Sequence, residues 1–225
     1  MLASAVSVFT AGDNLWRLLT GLGVAMQIAL LAVFFSLLLG IPLGVVMTSR
    51  RRVLFLAARL YLDAWRIVPV LVWLFIFYFE LGRILGIHID AWLVSVLVFS
   101  LWGAAEMSDI VRGAITSLPA GQVESGRALG LSNWQLQRYV IMPQVVRRLT
   151  PAAVNLVTRL IKTTSLVVLI GVVEVLKVGQ QIIENSERNV PSASFWVYGL
   201  IFILYFIVCY PISRLSRYLE RRWVG

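Results

Sequence analysis

The chain has 225 residues, of which 60% are apolar and 14% are charged, and its formal net charge is +9. Soluble globular proteins are about 45–50% apolar and about a quarter charged, so the composition excludes an ordinary soluble domain and indicates a membrane protein. The positive charge is typical of the basic loops on one side of such a protein rather than of nucleic-acid binding. The length allows about five or six spans of about 20 residues each.

Five apolar segments follow one another along the chain. They predict membrane spans at about 20–48, 67–82, 91–112, 146–172 and 193–212, because each is long enough to cross the hydrocarbon layer as a helix. Segment 53–65 contains Arg59 and Asp63 and is predicted to run along the membrane interface. Segment 174–191 is predicted to be an external segment with a short amphipathic helix. The expected fold is therefore all-α, a polytopic membrane protein of a single domain, 1–225, with about five transmembrane helices.

Basic residues are distributed unequally between the two sets of loops. One set is rich in arginine and the other has few basic residues, so the positive-inside rule predicts an external N-terminus, a cytoplasmic C-terminus and cytoplasmic loops at about 49–66 and 113–147. The basic residues assigned to the cytoplasmic side are Arg50, Arg51, Arg52, Arg59, Arg112, Arg127, Arg138, Arg147, Arg148, Arg214, Arg217, Arg221 and Arg222. Those assigned to the external side are Arg17, Arg83, Lys177 and Arg188.

The polar loop 113–143 interrupts the apolar sequence about halfway along the chain. Pro119 precedes a predicted helix, Gly130 is a plausible terminator of it at the position after the last helical residue, and Ser132 can cap the next helix. The predicted structure is a helix, a sharp turn and a second helix that leads to Pro143 at the entry to the next span. Taken alone, this pattern fits either an ordinary connecting loop or an element that docks onto a soluble partner.

Residues 122–143, QVESGRALGLSNWQLQRYVIMP, resemble the signature of ATP-binding-cassette (ABC) importer permeases. Glu124, Gly130 and Pro143 have the spacing of its pattern of E-A-A, three residues, G, nine residues and I-x-L-P. The chain departs from this pattern in having Ser125 and Gly126 in place of the two alanines, and Val140 and Met142 in place of the isoleucine and leucine. The flanking segments 108–122 and 143–175 look like the branch of the family that carries polar amino acids.

This resemblance implies a type I importer permease that lies in the bacterial inner membrane and whose cytoplasmic coupling helix docks onto an ATPase subunit. The implied partners are a second permease subunit, identical or paralogous, two ABC ATPase subunits, and a periplasmic or lipid-anchored substrate-binding protein. ATP and magnesium would be bound by the ATPase, so no cofactor is expected in this chain. The implied coupling residues are Gln122, Glu124, Ser125, Gly126, Ala128, Leu129, Gly130 and Pro143.

Two other classes of protein were compared with this interpretation. A self-sufficient secondary transporter or channel is disfavoured because we detect no inverted repeat. An intramembrane enzyme is disfavoured because the sequence has no histidine cluster, no G-x-S-x-G motif and no clear pair of intramembrane aspartates, so no catalytic residue is predicted. The sequence also contains no P-loop, so this chain is not expected to supply the ATP chemistry itself. His88 and Cys209 are the one histidine and the one cysteine. Since a metal site needs several such ligands together, none is predicted.

Charged and polar residues within the predicted spans are candidates for a substrate path. Glu106 and Asp109 lie three residues apart, and a polar stripe with helical spacing follows in the fourth span. Ionisable groups in a membrane face protein or water, because exposure to lipid is unfavourable. They can either pair between helices or line the path of a zwitterionic amino acid, and spacing does not decide between these roles. The candidates are Glu106, Asp109, Asn155, Arg159, Lys162 and Ser165.

Overall fold

The computed structural model describes residues 8–49, 51–187 and 190–223. Two residues used in the topology prediction, Arg50 and Arg188, lie outside the described residues. Within the described ranges the regular elements are all helical, as predicted. We number the helices α1 (Asn14–Val46), α2 (Arg52–Ile67), α3 (Val70–Leu85), α4 (Ala91–Thr116), α5 (Ala120–Ala128), α6 (Asn133–Ile170), α7 (Val175–Ser186) and α8 (Ala193–Trp223).

Four of these helices, α1, α4, α6 and α8, are individually long and apolar enough to cross a membrane. The broken pair of α2 and α3 brings the number of spans to five if it is one span. The break falls at Val68, whose extended backbone (φ −79°, ψ 129°) ends α2. Val68 precedes Pro69, and a residue before proline is sterically disfavoured in the helical region.

Helix α6 is continuous where the sequence predicted two helices, one before Pro143 and one for a span beginning at about 146. The helix instead begins at Asn133 and continues through Pro143. A π-helical turn, Leu136–Ile141, ends two residues before the proline. Proline has no N–H to donate, and such a local change of helix type accommodates the missing bond. The far end of α6 tightens into a 3₁₀ turn, Thr164–Ile170, and stops at Gly171.

The chain forms two compact units, each assembled from three separate stretches of sequence. The first contains the described residues up to Ala32, Val70–Phe99 and Arg159–Pro211. The second contains Val33–Pro69, Ser100–Thr158 and the described residues from Ile212 onward.

The core of the first unit lies around α7, the amphipathic helix that the sequence predicted for the segment 174–191. Its apolar side packs against the beginning of α1 and against α8 in a buried cluster that includes Leu18, Val178, Ile182 and Val197. Gly21 permits the close approach of α1, since a Cβ atom there would lie 2.8 Å from the backbone nitrogen of Val175.

In the second unit the later part of α1 packs against α4. A Cβ atom at Gly40 would lie 2.6 Å from Cβ of Met107, and one at Gly44 would lie 2.5 Å from Cβ of Val111. Two small residues one helical turn apart therefore allow the helix backbones to approach closely, as is common between membrane helices. The hydroxyl of Tyr61 on α2 donates a 2.6 Å hydrogen bond to the carbonyl oxygen of Leu101 and so ties α2 to α4.

Candidate functional site

The polar loop forms the helix, turn and helix that its sequence predicts. Helix α5 is followed by Gly130, whose φ of +76° lies in the left-handed region that favours glycine. Ser132 then caps α6 in a capping box. Its Oγ accepts a 3.3 Å hydrogen bond from the backbone nitrogen of Gln135, and its own backbone nitrogen donates a 2.9 Å bond to Oε1 of Gln135. Both helix ends at the turn are thereby fixed by local interactions.

The inner side of α5 packs tightly on α6. Gly126 is buried, and a Cβ atom there would collide with Cδ1 of Leu136. Leu136 belongs to a buried cluster with Ala114, Ile141 and Val145, against which Val123 of α5 also packs. Glycine at this position therefore lets α5 approach the side chain of Leu136 closely.

Polar bonds hold α5 and the turn before it to α6. Gln144 Nε2 on α6 donates a 3.1 Å bond to Oε1 of Gln122 on α5. Arg148 Nη1 on α6 donates a 2.7 Å bond to the carbonyl oxygen of Ser117, in the turn between α4 and α5. Together with the apolar contacts, these bonds join α5 to the ends of two membrane helices within one unit.

The outer side of α5 and of the following turn is exposed. Most of the predicted coupling residues lie there, namely Gln122, Glu124, Ser125, Ala128, Leu129 and Gly130. Leu129 is 80% exposed, and Trp134 and Tyr139 on α6 are 72% and 70% exposed. Sequence reasoning did not select the two aromatic residues, although large aromatic side chains in a loop between spans are a recognisable signal of an interaction surface. Exposed apolar groups beside polar ones fit a surface that another protein covers.

The acidic pair of α4 is neutralised by arginines. Arg66 at the end of α2 lies with Nη1 2.7 Å from Oδ2 of Asp109 and Nε 3.4 Å from Oε1 of Glu106. Arg112 lies 2.6 Å from the other oxygen of Asp109. Of the two roles left open by the sequence, pairing is therefore the one observed for Glu106 and Asp109. Arg66 was not identified as their partner because it lies some 40 residues earlier in the sequence, on a different helix.

The polar stripe of α6 lies largely on the exposed side of the helix. Asn155, Arg159 and Lys162 are exposed, while Ser165 is partly exposed and donates a 2.9 Å bond to the carbonyl oxygen of Lys162. Lys162 forms no ion pair with any acidic side chain in the described part of the chain. A cationic group thus remains available on this side of the helix.

One buried carboxylate was missed by the sequence analysis, which counted it among the charges of an external segment. Glu174 caps the N-terminus of α7 and is fully buried. Its Oε1 accepts bonds from the backbone nitrogens of Leu176 (3.0 Å) and Lys177 (3.1 Å), whereas its Oε2 has no hydrogen-bond partner among the described residues. Burial raises the pKa of Glu174 to about 7, although the two backbone bonds oppose this change.

Four helices long and apolar enough to cross a membrane, with the close-packed α5 between two of them, define a helical membrane protein. Consistent with this, residues 40–225 match the family described as "Binding-protein-dependent transport system inner membrane component", and the chain belongs to that family.

Its relatives include several named permeases of similar length. The chain is 31% identical over 218 residues to the octopine transport system permease protein OccM of Rhizobium radiobacter, covering 92% of this chain and 87% of that protein. It is 34% identical over 203 residues to the probable amino-acid ABC transporter permease protein YckA of Bacillus subtilis, covering 90% and 87%. It is 31% identical over 206 residues to the glutamine transport system permease protein GlnP of Escherichia coli K12, covering 91% and 92%.

Solved structures show the same fold. A chain from the crystal structure of an amino acid ABC transporter with histidines superimposes with a TM-score of 0.83 at 28% identity, covering 92% of this chain and 94% of that one. A chain of the inward-facing MetNI methionine ABC transporter superimposes with a TM-score of 0.72 at 20% identity, which shows a common fold.

Proposed function

We propose that this chain is the permease subunit that carries a polar amino acid, or a close analogue, through an ATP-driven importer of the inner membrane. The observation that carries the proposal is the exposed outer side of α5 in a chain of this family. The names of the relatives, which refer to octopine, glutamine and amino acids, support the substrate class. The proposed assembly contains a second permease, two ATPase subunits that bind ATP and magnesium, and a substrate-binding protein outside the membrane.

The proposed coupling is mechanical. Gln144 and the Gly126–Leu136 contact hold α5 to α6, and Arg148 holds the turn between α4 and α5 to α6. A displacement of the outer side of α5 therefore moves the adjoining ends of α4 and α6 with it. A partner that binds the exposed residues of α5 and changes shape during ATP hydrolysis therefore transmits its motion to two membrane helices. Glu124 supplies charge complementarity, and Leu129 with Trp134 supplies apolar contact area.

Two substitutions with a matched control test the coupling in a complex reconstituted with its ATPase and binding protein. Glu124→Lys reverses an exposed charge, and Gly130→Ala strains a backbone of φ +76°. Gly121→Ala is the control, because it lies in the same helix in open space. We expect the first two changes to reduce ATPase retention and ATP-driven uptake while the control retains both. Normal uptake and normal stimulated ATP hydrolysis in both variants contradict the coupling role.

The proposed orientation is an external N-terminus and a cytoplasmic C-terminus, with α5 on the ATPase side. Single cysteines at Ser132 and Ser186, in a Cys209→Ser background, report the two sides of the membrane through an impermeant maleimide added to intact cells. We expect labelling at position 186 and none at position 132. The opposite pattern overturns the orientation.

For the substrate path we propose the side of α6 that carries Asn155, Arg159, Lys162 and Ser165, with the cations facing a substrate carboxylate. Glu106 and Asp109 receive a structural role, since Arg66 and Arg112 already neutralise them. Lys162→Met is expected to lower uptake without reducing the yield of assembled complex. An equal loss of both quantities contradicts a role in the path.

A further inference from the structure

Helix α8 is longer than a membrane requires. Its 31 residues from Ala193 to Trp223 span about 46 Å, whereas the hydrocarbon core is about 30 Å thick. A crossing of about 20 residues from Ala193 ends near Ile212, so roughly the last 11 residues extend beyond the hydrocarbon. Arg214 is the first basic residue after the apolar run. This end of the helix therefore begins at the depth of the lipid phosphates.

The arginines of this end share one side of the helix. Arg214, Arg217 and Arg221 follow one another at spacings of three and four residues and are exposed, so they lie on one face. Ser216 lies on the opposite side, where it is buried and donates a 2.8 Å hydrogen bond to the carbonyl oxygen of Pro151. The three arginines, with Leu215 and Tyr218, line a surface cavity of about 390 Å³. We call this surface the basic face of α8.

The charge of the basic face is not neutralised within the described part of the chain. None of its three arginines forms an ion pair there, and Glu220 is the one acidic residue between 212 and 223. Arg222 holds the aromatic ring in place, since its Nη1 donates a 2.7 Å hydrogen bond to the hydroxyl of Tyr218. The positive-inside rule requires positive charge but no common face and no cavity, so this arrangement calls for a further explanation.

We propose that the basic face of α8 binds the phosphate group of an anionic phospholipid. The guanidinium group donates two parallel hydrogen bonds to phosphate oxygens, which makes arginine well suited to the ligand. Leu215 and Tyr218 give apolar contact to the glycerol and the first methylene groups, as interfacial aromatic residues do. The position of the cavity immediately after the apolar run favours a lipid over a soluble partner.

Native mass spectrometry of the purified transporter in detergent tests the proposal, with phosphatidylglycerol as the probe and phosphatidylcholine as the zwitterionic reference. Loss of one arginine removes charge-assisted hydrogen bonds to the phosphate and is expected to weaken binding at least about fivefold. The triple variant Arg214→Gln, Arg217→Gln, Arg221→Gln is therefore expected to bind phosphatidylglycerol about a hundredfold more weakly, with a smaller change for phosphatidylcholine, whose choline cation makes it a poorer ligand of a basic face. Arg51→Gln, Arg52→Gln, at two exposed arginines elsewhere, is the control and is expected to retain binding.

Further comparisons separate the proposal from its rivals. Replacing the same three arginines by lysine keeps the charge but removes the paired hydrogen bonds of the guanidinium groups, so this variant is expected to bind phosphatidylglycerol more weakly than the unsubstituted protein. Unchanged affinity refutes recognition of the phosphate by the guanidinium groups. An equal loss of phosphatidylglycerol binding in the control variant Arg51→Gln, Arg52→Gln refutes a lipid site confined to α8. Displacement of the lipid by inorganic phosphate, or loss of the ATPase subunits with lipid binding intact, assigns the face to a soluble anion or to a protein and overturns the proposal. The lysine variant is also expected to assemble with its ATPase subunits, since it keeps the charge and nearly the length of the side chains. Its failure to assemble makes the face structural and contradicts a lipid site.

Discussion

The buried carboxylate of Glu174 makes the stability of the α7 region depend on pH. In the folded chain its pKa is about 7, compared with an ordinary value of 4.5. The native state therefore holds the proton more tightly than the unfolded state does. The contribution of Glu174 to the free energy of unfolding is therefore greatest below pH 4.5, falls as the pH rises from 4.5 to about 7, and is constant above that interval. A pKa difference of this size corresponds to about 3 kcal/mol.

The substitution Glu174→Gln removes this dependence while retaining the shape of the side chain. An amide oxygen still accepts the hydrogen bonds from Leu176 and Lys177, so the cap of α7 survives. The new amide N–H group takes the place of an oxygen that has no partner among the described residues. We therefore expect the variant to be less stable than the unsubstituted protein by about 1–3 kcal/mol at low pH, where Glu174 is protonated, and no longer less stable above about pH 7, where the unsubstituted protein has lost about 3 kcal/mol. The slope of stability against pH, rather than its absolute value, is therefore the informative quantity.

Hydrogen exchange of α7, measured on the transporter in lipid nanodiscs and corrected for the intrinsic pH dependence of exchange, reports this slope. We expect the protection of the α7 amides in the unsubstituted protein to fall about a hundredfold between pH 5 and pH 8, as 3 kcal/mol implies. In Glu174→Gln most of this fall should disappear. Glu184→Gln is the control, because Glu184 lies on the same helix and is exposed. If the Glu174→Gln protein shows the same fall as the unsubstituted protein, the carboxylate is not its cause.

Three further outcomes follow from packing and charge. Gly44→Leu is expected to destabilise the chain by about 1–3 kcal/mol by overpacking, measured as loss of folded protein on heating in detergent. Gly23→Leu, in open space on the same helix, should be nearly neutral, and equal effects of the two changes refute the close contact of α1 with Val111. Arg66→Met should reduce the yield of assembled complex, and Asp109→Asn should partly restore it; no restoration argues against the ion pair. Gly126→Val should prevent the close packing of α5 and release the ATPase. Gly126→Ala should be tolerated, because its added Cβ atom meets only the flexible end of Leu136, and identical behaviour of the two variants contradicts this explanation.

The parts of the structure that depend on residues close together in the sequence are well predicted. Gly130 and Ser132 act through their own backbone and the next three residues, so the turn between α5 and α6 was predictable. The continuity of α6 through Pro143 was not predicted, because proline more often ends a helix and the π-helical turn before it leaves no simple sequence pattern. The Arg66 partnership and the burial of Glu174 arise from residues that are distant in sequence. No local signal distinguishes them from solvated charges, and the functional roles of the coupling and path residues stay predictions.

Each unit combines three separate segments of the sequence, and this has a consequence for the order of folding during synthesis. The second unit contains both Pro151 and Ser216, and the hydrogen bond between them requires the last helix to be inserted. The first unit needs α8 as well, because Val197 and Ile201 complete the cluster around α7. Neither unit can therefore finish folding on the ribosome before the C-terminal helix has left it. Until then, the earlier helices sit in the bilayer with incomplete partners, and a nascent chain truncated before Ala193 presents unfinished surfaces of both units to quality-control proteases.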